Sequence, residues 1–193
     1  RTHSDSYDRL LGVSYRLPKQ DGKRSSSGYH LYLENGVLTL YAGRVVLESV
    51  TIEDDHNWHE YRVVAVGDAH CVYMDDALLI ATRNNIYPRS GYVGFTSFYS
   101  IGWIDDVGVA EHPQGLTDPA EPFDVYEHFE RPQGENLGLS AKGQDFWLSS
   151  ESGEVTLDSD MLLLNGASSS APGTLSVGLQ SYRSYSVGCH FYN

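Results

Sequence analysis

Alternating apolar and polar positions are the dominant pattern of residues 58–109 and predict a series of β-strands. Tyr61, Val63 and Ala65 occupy every second position of a β-branched and aromatic run, and similar runs recur to the end of this stretch with turn residues between them. Because successive side chains of a strand point to opposite faces, this spacing is typical of antiparallel strands joined by short turns. The pair Asp75-Asp76 separates two such runs and predicts a tight hairpin turn.

The first third of the chain has the same texture. Strand-like runs occupy residues 9–17, 29–34, 37–41 and 44–52. Asn35-Gly36 lies between the second and third runs, and this dipeptide supplies the two positive φ angles that a type I′ hairpin turn requires. No window shows the sustained apolar spacing of an amphipathic helix. We therefore predict an all-β chain with very little helix.

After residue 109 the alternation gives way to a different composition. Residues 111–122 (EHPQGLTDPAEP) contain three prolines and no periodicity, which is typical of a linker. Shorter strand-like runs follow it at residues 123–129, 154–157, 161–165, 175–180 and 185–193. The pattern therefore divides the chain into residues 1–110 and residues 123–193, joined by the linker.

Composition narrows the fold and the partners. The 193 residues are 40% hydrophobic and include 14 tyrosines and 19 glycines, which suits one β-sandwich with many turns. The formal charge of −13 would repel a phosphate backbone, so we do not expect nucleic acid as a partner. No apolar run approaches the ~18–20 residues that a membrane-spanning helix needs, so we expect no membrane span.

The two cysteines leave the redox state open. Cys71 and Cys189 both fall in strand-like runs, and two cysteines permit one disulfide without requiring it. Two buried thiols are the alternative. Neither cysteine has the neighbours of a zinc site.

Four short motifs, taken in order, resemble the second half of a concanavalin A-like jelly roll. They are residues 58–62 (WHEYR), 72–76 (VYMDD), 91–95 (GYVGF) and 104–107 (IDDV). This sandwich is shared by lectins, laminin G-like modules, family 16 glucanases and 3-keto-disaccharide hydrolase-like domains. The resemblance implies two packed antiparallel sheets and leaves the function open, because one such fold hosts many functions.

The order of the two segments is the reverse of the order in that family. Residues 123–166 resemble the opening of such a domain, whereas residues 9–109 resemble its later strands, so the jelly roll is split or circularly permuted. We expect residues 123–129 and 185–193 to pair with residues 9–17 and 101–109. The front half, residues 123–193, would then complete the sandwich of the same chain or, head to tail, that of a neighbouring copy.

The junction between the last and first residues carries a modification motif. If the chain is one period of a tandem repeat, Asn193 is followed by Arg1 and Thr2 and becomes an N-glycosylation acceptor. Because the chain starts at Arg1, we expect a processed or excised piece of an extracellular or cell-surface protein. Neighbouring repeats, or copies of the chain arranged head to tail, are then its predicted partners.

Asp105 is the predicted ligand of a structural calcium ion. In a regular strand it shares a face with Val107 and Val109, so its carboxylate would point toward the core and need a partner. Residues 104–109 resemble the strand of family 16 glucanases whose aspartate helps to bind calcium, and Glu130 is a candidate second ligand. The alternative is an aspartate that is hydrogen-bonded at a strand end.

Tyrosines in or beside the strands are the candidate sugar-binding residues. Aromatic faces stack on pyranose rings, and Tyr32, Tyr41, Tyr92 and Tyr99 are placed to provide them. The alternative role of these side chains is packing in the core or at an interface.

The sequence supports no catalytic residue. Family 16 glucanases carry two opposed carboxylates as E-x-D-x-x-E, and this motif is absent, as are the common nucleophile and phosphate-binding motifs. We therefore favour a non-catalytic extracellular structural or assembly module, one period of a tandem repeat or filament. A glycan-active enzyme fragment of the 3-keto-disaccharide hydrolase-like type and a carbohydrate-binding module are the alternatives.

Overall fold

The computed structural model of the chain describes residues 10–19, 26–53, 55, 57–87, 90–99, 101–111, 125–127, 148–149, 154–158, 161–165, 173–177 and 185–192. Over these ranges the regular structure consists of strands, without a helix. In chain order the strands are β1 Leu10–Leu17, β2 Tyr29–Glu34, β3 Val37–Ala42, β4 Val45–Thr51, β5 His59–Val66, β6 Ala69–Met74, β7 Ala77–Arg83, β8 Tyr92–Phe98, β9 Ile101–Glu111, β10 Val125–Glu127, β11 Leu148–Ser149, β12 Glu154–Asp158, β13 Met161–Asn165, β14 Gly173–Val177 and β15 Tyr185–Tyr192.

The strands form two antiparallel sheets. Sheet A has the order β11-β14-β8-β1-β2-β3-β4, and sheet B has the order β12-β13-β9-β15-β5-β6-β7, with β10 also paired to β9. The two sheets pack face to face, so the predicted all-β, two-sheet antiparallel sandwich is confirmed. Among the described residues no helix is long and apolar enough to cross a membrane.

Both predicted tight hairpins are present. Asn35 and Gly36 join β2 to β3 with φ angles of 49° and 74°, and Asp75 and Asp76 join β6 to β7 with φ angles of 47° and 64°. Two successive positive φ angles give the turn a twist that matches the right-handed twist of the flanking strands. Asparagine and aspartate tolerate these angles better than most residues.

Alternate residues of each strand fill the space between the sheets. In β5, for example, Tyr61, Val63 and Ala65 are buried while the residues between them are half exposed. Sheet A supplies the facing side chains, and burying such apolar surface contributes ~25 cal/mol per Å². The largest fully buried apolar side chains are Tyr15, Tyr29, Phe95, Leu11, Leu31, Leu38, Leu40, Ile80 and Ile104.

The two halves of the chain complete one sandwich within a single chain. From the second half, β15 lies between β5 and β9, β10 and β13 also pair with β9, and β14 pairs with β8. The predicted pairing with residues 101–109 is therefore found. The predicted pairing with residues 9–17 is wrong, because β2 and β8 occupy the two edges of β1.

Candidate functional site

The four tyrosines predicted to bind sugar lie on one surface, the face of sheet A that points away from the core. Tyr41 lies against Tyr32 with the ring centroids 5.7 Å apart, and Tyr99 packs on the same ring. Tyr92 alternates along β8 with core residues, which places it on this face too. We call these four residues the tyrosine face.

A glycine and a histidine hold Tyr32 in place. Gly12 lies opposite Tyr32 on β1, and a Cβ atom at Gly12 would come within 2.6 Å of the tyrosine ring. The His30 ring stacks on Tyr32 with a centroid distance of 5.4 Å and an interplanar angle of 17°. Because Tyr32 packs over Gly12, it is only 5% exposed and its ring has a fixed orientation.

Below this stack lies a buried polar pair that the sequence analysis did not single out. Ser14 Oγ and His30 Nδ1 are 2.7 Å apart, and both side chains are buried on the outer side of sheet A. The turn signals do not reveal this pair, because Ser14 lies on β1 and meets His30 only through the register of β1 with β2.

The exposed part of the tyrosine face consists of Tyr41, Tyr92 and Tyr99, which are half-buried. Stacking on a sugar requires an accessible ring, so these three rings are the ones that can contribute. Tyr99 has a φ angle of 48°, a conformation that costs a bulky residue ~1–2 kcal/mol. Packing on Tyr32 stabilises that conformation.

A second polar cluster lies between the sheets, with Tyr15, Tyr29 and His70 buried and Asn84 half-buried. His70 Nε2 is 3.0 Å from the carbonyl oxygen of Asn84, and His70 Nδ1 is 2.8 Å from the Tyr15 hydroxyl. Because a carbonyl only accepts, Nε2 carries the proton and Nδ1 accepts from the tyrosine. Tyr29 lies against the His70 ring at 4.2 Å and donates its hydroxyl hydrogen to Asn84, 2.9 Å from Oδ1.

The charge state of His70 follows from this enclosure. Burial lowers the pKa of His70 to about 4, and the positive charge of Arg16 also lowers it. The neutral imidazole therefore accepts a hydrogen bond from the Tyr15 hydroxyl and donates one to the Asn84 carbonyl oxygen. Since His70 is inaccessible to solvent, this cluster ties β1 and β2 to β6 and has a structural role.

Arg16 belongs to the same end of the core. Its guanidinium carbon lies 5.7 Å from the centre of the Tyr29 ring, within cation–π distance, and the side chain is buried. Arg16 has a φ angle of 53° where β1 bulges relative to β8. A Cβ atom at Gly91 would clash with the Arg16 backbone, so this glycine permits the close approach of the two strands.

His59 connects an exposed loop to the Asp75-Asp76 turn. Its Nδ1 donates to Asp75 over 2.6 Å and its Nε2 donates to Asp55 over 2.9 Å. Hydrogen bonds to Asp75 and then to Asp55 raise the pKa of His59. Asn57 and His59 together lower the pKa of Asp55 to about 2. Both ring nitrogens donate, which is the arrangement of a protonated imidazolium.

Both cysteines are free thiols on different faces of sheet B. Cys189 is buried in the core, 3.9 Å from the carbonyl oxygen of Tyr61, and burial raises its pKa well above the usual value. Cys71 alternates with the core residue Val72 and faces outward. A disulfide between the two would have to pass through the sheet, so both thiols are free. The alternative of two buried thiols holds for Cys189 only, because Cys71 is partly exposed.

The structure corrects the orientation of Asp105. Ile104 and Val107 are both buried, although they are three positions apart, because β9 carries one extra residue relative to β15 and Asp106 has a φ angle of 50°. This bulge turns Asp105 away from the core, and its Oδ1 accepts the Asp106 backbone N–H over 2.8 Å. The shared face predicted for Asp105, Val107 and Val109 is therefore wrong.

The other predicted ligands cannot be placed. Glu130 and Asn193 lie outside the described residues. Among the residues that are described, no three histidine, cysteine or carboxylate side chains converge as a metal site would require.

One side of the sandwich exposes large apolar side chains. β4 and β7 end the orders of sheets A and B and pack against each other. Val45 and Val46 at the start of β4 are 58% and 54% exposed, Leu78 on β7 is 54% exposed, and Ile86, just after β7, is 60% exposed. We call these four residues the side wall.

Comparisons with known proteins add no assignment. A scan of the sequence against models of protein families finds no match, and a search of curated proteins finds no significantly similar sequence.

Proposed function

We propose that this chain is a non-catalytic structural module of an extracellular or cell-surface assembly, with a lectin-like sandwich as its scaffold. The observation that carries the proposal is the side wall, where the end strands of both sheets meet and expose apolar side chains. In a tandem repeat or filament, this side gives each module a surface that meets the next one.

Physical chemistry supports this use of the side wall. Proteins usually protect edge strands with charged side chains or prolines, because an open edge pairs readily with another chain. Here Val45, Val46 and Leu78 are exposed on edge strands, where lysine or glutamate would be typical. The net charge of −13 keeps such a chain soluble while it is alone, and a partner would remove the apolar groups from water.

Sedimentation velocity over a hundredfold range of concentration tests the assembly, and a reducing-sugar assay on a glycan panel tests the absence of catalysis. We expect self-association that increases with concentration and no release of reducing ends. A protein that stays monomeric, or one that cleaves a glycan, would contradict the proposal.

Carbohydrate binding at the tyrosine face is a second candidate, favoured by the convergence of Tyr41 and Tyr99 on Tyr32. We expect Tyr41→Ala and Tyr99→Ala each to weaken binding of a glycan found on an array about tenfold, which corresponds to ~1.4 kcal/mol. Tyr73→Ala is the matched control, because Tyr73 lies on the outer face of sheet B beneath Arg62. Equal losses in all three variants would argue against this site.

Calcium remains a separate proposal, supported by the acidic strand around Asp105. If a structural ion binds there, EDTA lowers the melting temperature of the parent protein and leaves that of Asp105→Ala unchanged. The same melting temperature with and without EDTA in both proteins would remove calcium from the proposal.

A further inference from the structure

We propose that two copies of this chain associate through β7, strand to strand and antiparallel, so that sheet B continues from one copy into the other. This inference rests on the proposed assembly function and adds a two-fold contact between two modules, which is distinct from the head-to-tail contact of a filament. The four end strands of the two sheets differ in how well they suit such pairing, and β7 suits it best.

Three of the end strands are poorly suited to pairing with themselves. β4 carries Glu48 at its centre, so antiparallel self-pairing would bring two carboxylates together. β12 has Glu154 and Asp158 at its two ends, and β11 has only two residues. β7 (ALLIATR) contains neither an acidic residue nor a proline over its seven positions.

The backbone groups that β7 presents to its open edge follow from its register with β6. The Asn84 N–H donates to the backbone carbonyl oxygen of Asp68. In an antiparallel pair every second residue is hydrogen-bonded to the neighbouring strand. Thr82 and Ile80 are therefore the next residues of β7 whose backbone groups bond to β6. The N–H and C=O groups of Ala81 and Arg83 therefore point away from β6. In the part of the chain that the structure describes, β6 is the only strand paired with β7.

The bulge in β7 shifts this pattern by one residue. Val72 lies opposite Ile80 while Tyr73 lies opposite Leu78, so Leu79 is the extra residue. On the turn side of the bulge, Ala77 pairs with Met74 next to the two-residue turn, which leaves the backbone groups of Leu78 pointing outward. Leu78, Ala81 and Arg83 are therefore the residues whose backbone N–H and C=O groups point to the open edge of β7.

One register brings these positions together across a two-fold axis. Leu78 of each copy lies opposite Ala81 of the other, the two bulges face each other, and Arg83 falls opposite Asp76 of the other copy. Leu78 is large and exposed whereas Ala81 is small, and both are on the outer face, so the side chains fit. Within one chain Arg83 is paired with Asp68 and Asp76 is paired with Arg62, and both side chains stay largely exposed. The register therefore brings two exposed ion pairs next to each other, with Arg83 of one copy facing Asp76 of the other.

The mass in solution and two matched variants test the pairing. For the full chain at about 100 μM, light scattering after size exclusion should give twice the 21.5 kDa of one chain. Leu78→Lys should weaken the dimer at least tenfold, because it replaces the apolar contact with Ala81 of the other copy by a charged side chain. Thr156→Lys places the same charge at an exposed position of β12, the other end strand of sheet B, and should leave the dimer intact.

The register has its own test. Mixing the Leu78→Lys protein with an Ala81→Asp protein should restore a dimer that neither forms alone, because the introduced lysine and the introduced aspartate then face each other across the edge. Far-UV circular dichroism must show that each variant keeps the parent fold. Failure of the mixture to dimerise would overturn this register.

The possible results separate the inference from the function on which it rests. Dissociation by Thr156→Lys but not by Leu78→Lys would overturn β7 pairing and leave the assembly function standing. A mass that grows beyond the dimer with concentration would overturn it in favour of head-to-tail addition. A monomeric parent protein would overturn both, and glycan cleavage by a protein that still dimerises would overturn the proposed function alone.

Discussion

Acidification should destabilise this protein between about pH 6.5 and pH 4 because of one buried side chain, His70. In the folded chain burial lowers the pKa of His70 to about 4, whereas in the unfolded chain it returns to its usual value near 6.5. The folded state therefore binds fewer protons in this window, and stability falls as the pH falls. Above pH 6.5 the neutral His70 makes its full contribution to the free energy of unfolding.

The magnitude follows from the pKa difference of about 2.5 units between 6.5 and about 4. Each unit corresponds to ~1.36 kcal/mol, so lowering the pH from 7 to 4 should remove about 3 kcal/mol from the free energy of unfolding. That loss is a large fraction of the ~5–15 kcal/mol by which domains are usually stable. Protonation would also convert Nδ1 into a donor to the Tyr15 hydroxyl oxygen, so the hydroxyl hydrogen must turn away from the histidine.

Urea unfolding at pH 7 and at pH 4 measures the effect, with His70→Gln as the comparison. Glutamine stays neutral, so the variant is less stable at pH 7 but should lose about 3 kcal/mol less than the parent on acidification. His59→Gln is a control whose pH dependence should change in the opposite direction. The raised pKa of His59 means that this side chain stabilises the folded state at low pH, and that this stabilisation is lost as the pH rises through the pKa of the folded state. If His70→Gln had the same pH dependence as the parent, the reasoning would be refuted.

Three further substitutions test the packing of sheet A, each by urea unfolding at pH 7. The Ser97 side chain is fully buried and has no hydrogen-bond partner among the described residues. Ser97→Ala should therefore be neutral or stabilising, and a loss above ~1 kcal/mol in the free energy of unfolding would contradict this reasoning. Ser14→Ala, also buried, removes the partner of His30 and should cost ~1–3 kcal/mol; no loss would argue against that bond. Gly12→Ala should cost ~1–3 kcal/mol, because its Cβ atom would clash with the backbone carbonyl oxygen of Leu31 and would lie 2.6 Å from the Tyr32 ring. An unchanged stability would contradict the close packing.

The sequence was sufficient for the parts of the fold that depend on local chemistry. Asn35-Gly36 and Asp75-Asp76 mark hairpin turns because few residues accept two positive φ angles, and the strands on either side follow from alternation. The placement of Tyr32, Tyr41 and Tyr92 on one face also follows from alternation with their buried neighbours. Tyr99 is different, because alternation would place it on the core face and its positive φ angle turns it away. The sugar-binding role of the four tyrosines stays a prediction.

The sequence was insufficient where one extra residue changes the face of a strand. Asp105 would share the core face with Val107 in a regular strand, but the bulge at Asp106 turns Asp105 to the opposite face. The position of a bulge depends on the partner strand rather than on the local sequence. The cluster of Tyr15, His70 and Asn84 was equally invisible, because its members lie far apart in the chain and meet only when the sheets pack.

Because β15 lies in the middle of sheet B, this sheet can be completed only after the end of the chain has been synthesised. β15 is synthesised after both strands that flank it, β5 and β9, and until it arrives each of them keeps an edge without its final neighbour. Such long-range closure is slow compared with hairpin formation, and unpaired edges of partly made sheets are prone to aggregate. Nascent chains that lack residues 185–192 should therefore depend on chaperones, and shorter fragments that end before β15 should be recovered as insoluble protein.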